Sequence, residues 1–311
     1  MKKSIWIVGP GYMGLEYYKI LSTLPVHVHV IGRSQNKSWP IEVYSLGLPN
    51  FIEKERSVPE YAIVCVDEKN LFQNVEILIN HGVKNILVEK PGAINIEDIK
   101  KLRGLSENTN LYIGYNRRFY QSTKKCKELI DEASGPISVN FEFTEWIHTI
   151  DFETYAEEEL AHFFLCNSSH VADTVFYLLG APKEIHCSTS GAELLDWHPS
   201  AAAFSGNGIT ERNALFNYHA NWLSSGRWGI EISIPGKRLI LKPLEKLFVQ
   251  EAGSLEQNEV DLDNIDEMYK PGLYKQVESF LGSQDGLCTI DEHYKNFKFY
   301  YKIANYGRAT R

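Results

Sequence analysis

Lys90 closes the apolar run Ile86-Leu87-Val88-Glu89 and is followed by Pro91. A run of this kind reads as a buried parallel strand, and Pro91, which has no N–H, must stop its ladder. Ligands in open α/β sheets bind beyond the carboxyl ends of the strands. Lys90 is therefore expected where two reactants meet, and a partly desolvated lysine is suited to proton transfer. Lysines after strands are common, so other residues must support that reading. Gly9-Pro10-Gly11-Tyr12-Met13-Gly14 follows the apolar run Ile5–Val8 directly. In this GxGxxG spacing Gly9 permits the tight turn and Gly11 lets the backbone approach a pyrophosphate. Gly14 allows close helix–strand packing, and Tyr12 and Met13 open the helix whose N-terminus faces the anion. After a second strand, Val26–Ile31, comes Gly32-Arg33-Ser34. An NAD site usually places a carboxylate here for the ribose 2′-hydroxyl, whereas Arg33 and Ser34 suit a 2′-phosphate. NADP(H) is thus expected over NAD(H); the competing reading is a turn with a solvated arginine.

A further group lies in the second half. Asn167-Ser168-Ser169-His170 has good N-cap residues at its start, so a helix is expected to begin here and to end at Gly180. On it Val171, Val175, Leu178 and Leu179 form a buried stripe, while His170 and Asp173, at i and i+3, lie together off it. Near the helix start they can face a pocket, with Asp173 orienting the imidazole. Alternatively His170 is a core histidine satisfied by Asp173.

The elements that would position these groups alternate. A helix follows the glycine loop from Met13 to about Leu24, a third strand is expected over 41–46, and a fourth over 61–66. A helix over 70–81 ends at Gly82, the Lys90 strand follows, then a helix over 96–105 and a strand over 111–114. This pattern predicts a doubly wound parallel sheet. Beyond it lie a helix over 119–133 and an alternating strand over 137–143. Short β-rich runs over 184–189, 201–204, 214–222, 227–234 and 238–241 follow, separated by polar turns such as Ser205-Gly206-Asn207-Gly208. They predict an antiparallel sheet with one apolar face. A helix over 273–281 and a last one from the capping-box spacing Thr289-Ile290-Asp291-Glu292 to about 306 complete the chain. Tyr218, Trp222 and Trp228 read as packing before sugar stacking, and Arg212 and Arg227 as solvated before phosphate-binding.

The 311 residues suffice for two cores, and 43% hydrophobic with 23% charged residues is ordinary for a soluble globular protein. A net charge of −8 argues against nucleic acid or an anionic membrane as main partner. No apolar run reaches the roughly 20 residues of a membrane span. The first residues mimic a signal peptide, but their apolar core is short and is broken by Gly9 and Pro10. Five scattered cysteines without a CxxC pair fit reduced cytoplasmic thiols and no metal site.

Taken with Tyr115-Asn116-Arg117-Arg118-Phe119 after the sixth strand and His170-Val171-Ala172-Asp173, these motifs are specific. With them the chain resembles the glucose–fructose oxidoreductase, inositol dehydrogenase and rhizopine-catabolism (Gfo/Idh/MocA) family along essentially its whole length. The resemblance implies an N-terminal Rossmann domain, here 1–118, with a doubly wound parallel sheet. It implies a C-terminal α/β domain, 119–311, with an open, largely antiparallel sheet that forms a homodimer or homotetramer. The last helix would pack back near the domain junction. Members transfer a hydride between nicotinamide and a carbon of a sugar, cyclitol or sugar nucleotide. Lys90 and His170 would then be catalytic beside Asp173. Glu89, Lys90 and Arg118 would join the cofactor residues, and Lys90, Tyr115, Asn116, Arg117, Asn167 and His170 would meet a carbohydrate-like substrate. Many members carry an aspartate four residues before the histidine; here that position is Cys166, a poor substitute at neutral pH. The departure moves weight onto Lys90 and His170. It also leaves two other readings: a nicotinamide-binding sensor without chemistry, and a redox-neutral hydrolase or eliminating enzyme using nicotinamide transiently.

Overall fold

The protein is described by a computed structural model covering residues 3–35 and 38–307. It divides into two compact units, one of residues 1–116 and 267–294, the other of residues 117–266 and 295–311.

The first unit contains β1 (Lys3–Val8), α1 (Tyr12–Leu21), β2 (Val26–Ile31), β3 (Val43–Tyr44), α2 (Gly47–Glu55), β4 (Tyr61–Val64), α3 (Glu68–Asn80), β5 (Asn85–Glu89), α4 (Ile96–Leu105) and β6 (Asn110–Gly114). Its sheet runs β6-β5-β4-β1-β2-β3, all parallel, with a short antiparallel strand added beside β6. This is the doubly wound order whose direction of growth reverses between β1 and β4. The continuous apolar runs explain it: Ile5–Val8 and Ala62–Val64 are buried on both faces, as a sheet covered by helices requires. Gly82 turns the chain after α3 at a φ of 92°, in the role expected of it. The expected third strand shrinks to two residues, and α2 follows it unanticipated. Pro49 masks that helix in sequence, yet it falls in the first turn, where no N–H is needed.

The second unit begins with α5 (Gln121–Glu132) and β7 (Ser138–Glu142). It continues with α6 (Glu157–Ala161), α7 (Ser169–Leu179), β8 (Pro182–Ser190), β9 (Ala203–Thr210), β10 (Leu215–Asn221), β11 (Gly229–Ile234), β12 (Lys237–Leu241), β13 (Phe248–Glu251) and β14 (Asn258–Glu259). The eight strands form a sheet in the order β14-β13-β12-β11-β7-β10-β9-β8. Every pair is antiparallel except β7 with β10. Alternation is strict in β10, where Phe216, Tyr218 and Ala220 are buried and Leu215, Asn217, His219 and Asn221 exposed. The inward face packs against α7, which is buried almost all round rather than along one stripe.

Ser205-Gly206-Asn207-Gly208 is a correction. The sequence reads as a turn, but it lies in the middle of β9. Gly206 pairs with Tyr218 and Gly208 with Phe216. A Cβ at Gly206 would stand 2.4 Å from Tyr218 Oη, and one at Gly208 2.7 Å from Phe216 Cζ. The glycines make room for rings that cover the strand.

The chain completes both units with α8 (Ile265–Met268), α9 (Leu273–Leu281), β15 (Cys288–Thr289), which is the strand beside β6, and α10 (Ile290–Ala304). Thr289 Oγ1 accepts from the Glu292 N–H at 3.2 Å, the cap that its spacing predicts. No helix among the described residues is long and apolar enough to cross a membrane. The five cysteines are free thiols.

Candidate active site

In the first unit a cleft of about 310 Å³ opens at the carboxyl ends of β1, β2 and β4, where the sheet order reverses. Gly9, Gly11, Gly32, Arg33 and Asp67 are among its lining. Gly9 adopts a φ of 114°, and a Cβ there would lie 2.4 Å from the Cys65 carbonyl oxygen. A Cβ at Gly14 would lie 2.1 Å from the Gly9 carbonyl oxygen, so only glycine lets α1 start this close to the loop. A Cβ at Gly11 would meet nothing within 4 Å. Open space thus stands at the N-terminus of α1, whose first turn holds no acidic residue. That combination fits the pyrophosphate of a dinucleotide. Tyr12 is exposed beside it, with Lys270 Nζ 5.1 Å from its ring centre.

Arg33 lines the cleft and is exposed, with Nη2 3.5 Å from Asp67 Oδ2. Ser34 is exposed next to it. The carboxylate that sequence proximity did not reveal near Arg33 thus comes from the turn after β4.

Lys90 leaves β5 half-buried, its Nζ 3.7 Å from Oε1 of Glu68, the first residue of α3. Glu89 turns its side chain the other way. Its Oε1 accepts from Tyr17 Oη at 2.6 Å, and that hydroxyl stands 3.2 Å from the Gln276 amide. Burial pushes the Glu89 carboxyl up, against the Tyr17 hydrogen bond and the Lys90 charge, which pull it down. Tyr115 and Asn116 are buried and hold neighbouring segments. The Tyr115 ring lies 5.7 Å from that of His293, whose Nε2 is 2.9 Å from the Pro91 carbonyl, and Asn116 Nδ2 donates to the Pro271 carbonyl at 2.9 Å.

In the second unit Asn167 and Ser168 do not cap a helix. They lie within a π-helical turn, Phe164–Ser168, that runs straight into α7, and both have helical backbone neighbours on either side. Their side chains turn to Glu145, beyond the end of β7. Asn167 Nδ2 donates to Oε1 at 3.1 Å, Ser168 Oγ at 2.5 Å and Trp228 Nε1 at 3.2 Å. Glu145 is only 4% exposed, and burial pushes its carboxyl up. Nothing in the sequence marks this residue, which lies three positions beyond the end of β7. His170 is buried, its ring centre 6.3 Å from that of Trp228. The Arg117 guanidinium lies over the same indole at 4.6 Å.

Asp173, which the i, i+3 spacing offers to the imidazole, has a charged partner within the second unit. Arg118 grips it with two hydrogen bonds, Nε to Oδ2 at 2.8 Å and Nη2 to Oδ1 at 2.6 Å, and Tyr300 Oη adds one at 3.3 Å. Both partners are 1% exposed. Arg118, expected at the cofactor, makes these bonds within the second unit. Arg212 is likewise structural, donating to the Leu178 carbonyl and pairing with Asp131.

No family model matches the chain, and no curated protein matches it. Solved structures do. An oxidoreductase from Agrobacterium radiobacter, in complex with NAD+, L-tartaric acid and magnesium, superposes with a TM-score of 0.80 at 13% identity, over 99% of this chain and 98% of its own. An inositol dehydrogenase homologue from Azotobacter vinelandii, complexed with NAD+, gives 0.76 at 12% identity over 98% and 95%. A UDP-N-acetylglucosamine 3-dehydrogenase from Acidithiobacillus ferrooxidans gives 0.68 at 14% identity over 98% and 97%. The chain has the fold of these oxidoreductases. This fold is the one that the sequence motifs implied, and the likeness extends over both units. Among the described residues, no group of three or more His, Cys, Asp or Glu is arranged to hold a metal ion.

Proposed function

We propose that the protein is a nicotinamide-dependent oxidoreductase acting on a secondary alcohol or ketone of a sugar, cyclitol or sugar-nucleotide-like compound. The observation that carries this reading is the glycine-lined cleft at the reversal point of the parallel sheet, with Lys90 at the carboxyl end of β5 in the same unit. The nicotinamide dinucleotides named with two of the similar structures, and the inositol and UDP-sugar named with two, support it.

Gly9, Gly11 and the N-terminus of α1 would hold the pyrophosphate, and Arg33 with Ser34 the 2′-phosphate of NADP(H), the preferred cofactor. Bound there, the cofactor supplies or accepts the hydride. Lys90 donates a hydrogen bond to the reacting oxygen and stabilises its developing negative charge. His170 exchanges the proton; a neutral imidazole can take it and an imidazolium return it. The Glu68 carboxylate lies 3.7 Å from Nζ.

The test is a turnover assay on the full chain with NADPH and NADP⁺, following nicotinamide absorbance over free sugars, cyclitols, sugar phosphates and sugar nucleotides. Turnover with one class is expected. Tight cofactor binding with silence across the panel contradicts the reading.

A further inference from the structure

Glu145 is a charged side chain in the interior of the second unit with an uneven set of partners. Oε1 receives three donors, from Asn167, Ser168 and Trp228. Oε2 receives no hydrogen bond among the described residues; its nearest cation is Arg227 Nη1, at 3.8 Å. A carboxylate so fixed by one oxygen has its other oxygen oriented and still able to accept. The side of Oε2 is also the side that reaches solvent. Arg227 is 43% exposed, and its guanidinium lies 4.8 Å from the ring centre of Trp146, itself 46% exposed. Trp146 is held in place by its Nε1 donating to the Gly226 carbonyl at 2.7 Å, so its exposed face is presented by a fixed ring. A purely structural acid would be a costly choice here. Burial disfavours the charged form, and a neutral amide would satisfy the same three donors.

We propose that Glu145, Arg227 and Trp146 form a recognition corner for a neutral polyol. Glu145 Oε2 accepts from one hydroxyl, the Arg227 guanidinium donates to a neighbouring oxygen, and the indole covers the apolar face of the ring. This rests on the oxidoreductase reading above and narrows its substrate class. The acceptor set matters: a hydroxyl can donate to Oε2, whereas a phosphate or carboxylate placed there would be repelled by it. Glu145 belongs to the same unit as His170, and Trp228 links them, one side of the indole donating to Glu145 and its ring standing beside the imidazole.

Two variants of the full chain test this, Glu145→Gln and Trp146→Ala, with binding measured by calorimetry in the presence of saturating NADPH, with which an alcohol does not react. The probes are myo-inositol and D-glucose against D-glucuronate and D-glucose 6-phosphate. The wild type is expected to bind a neutral probe. Glu145→Gln is expected to weaken that binding about tenfold or more, the weight of a hydrogen bond to a charged acceptor. Its melting temperature should stay level or rise, because a buried charge has been removed, and its cofactor affinity should not change. Trp146→Ala should weaken the same probe with the fold intact. A neutral probe bound equally by wild type and Glu145→Gln overturns the proposal, as does an anionic probe that the wild type binds more tightly than the neutral ones. Failure of every neutral probe to bind the wild type also overturns it. Because binding is read without turnover, a protein that binds the polyol through Glu145 yet moves no hydride would contradict the oxidoreductase reading and leave this one standing.

Discussion

Arg118 and Asp173 form a bidentate ion pair in which each side chain is 1% exposed. The pair ties the start of the second unit, just before α5, to the middle of α7. Such a pair is dear to break from one side, because the remaining charge stays buried and uncompensated. Asp173→Asn and Arg118→Ala are each expected to cost about 3–5 kcal/mol of stability. Urea unfolding measures it, and an unshifted midpoint in either variant would contradict the structural weight given to the pair.

Tyr17→Phe removes the hydroxyl that donates to Glu89. Burial already raises the Glu89 carboxyl, and Tyr17 opposes that rise, so its loss raises the carboxyl further. A raised carboxyl favours the protonated folded state, which gives stability at low pH that is lost as pH rises through the folded value. The variant should therefore lose about 1–3 kcal/mol at pH 8 and less at pH 5. Equal losses at both pH values would contradict this.

His198 is a pH-sensitive point of the second unit. It is fully buried, with Nδ1 2.9 Å from the Ala201 carbonyl and Nε2 2.7 Å from Tyr306 Oη. A neutral ring that donates from Nδ1 and accepts at Nε2 satisfies both contacts. Burial pulls its pKa down to about 4. The unfolded chain then binds the proton first, so this stability is complete above about pH 6.5 and is lost as pH falls toward the folded value, up to about 3 kcal/mol. Unfolding free energies from pH 7.5 to 4.5 should show that decline, flattened in His198→Gln. An identical slope in the variant would refute it.

Arg33→Ala should weaken NADPH about tenfold or more and leave NADH within about twofold, since the proposed partner of the guanidinium is the 2′-phosphate, which NADH lacks. Asp67, 3.5 Å away, competes for that guanidinium, so Asp67→Asn should strengthen NADPH. Fluorescence titration with both cofactors reads the two effects; equal affinities in wild type would contradict the NADP(H) preference.

The first unit was legible in sequence because its signals are local. Ile5–Val8 runs directly into Gly9, Gly11 and Gly14, and backbone geometry at Gly9 and Gly14 bears out the need for glycine there. The second unit depends on pairings between distant residues. Gly206 and Gly208 look like a turn until Tyr218 and Phe216 are seen across from them. Asn167 and Ser168 look like caps until Glu145, more than 20 residues earlier, takes their hydrogen bonds. Asp173 sits where spacing offers it to His170, and the buried guanidinium that grips it comes from Arg118, 55 residues away in sequence. Helical spacing fixes which residues share a face, not which partner reaches them first.

The most direct measurement is nicotinamide turnover by Lys90→Ala beside its cofactor affinity, with the substrate class found in the panel. Lys90 is assigned to the developing oxyanion, an interaction strongest in the transition state. The expected result is a fall in kcat of about 10²–10³ with cofactor Kd unchanged. Near-normal kcat in a variant that still binds cofactor would contradict the assignment of Lys90 to the chemical step.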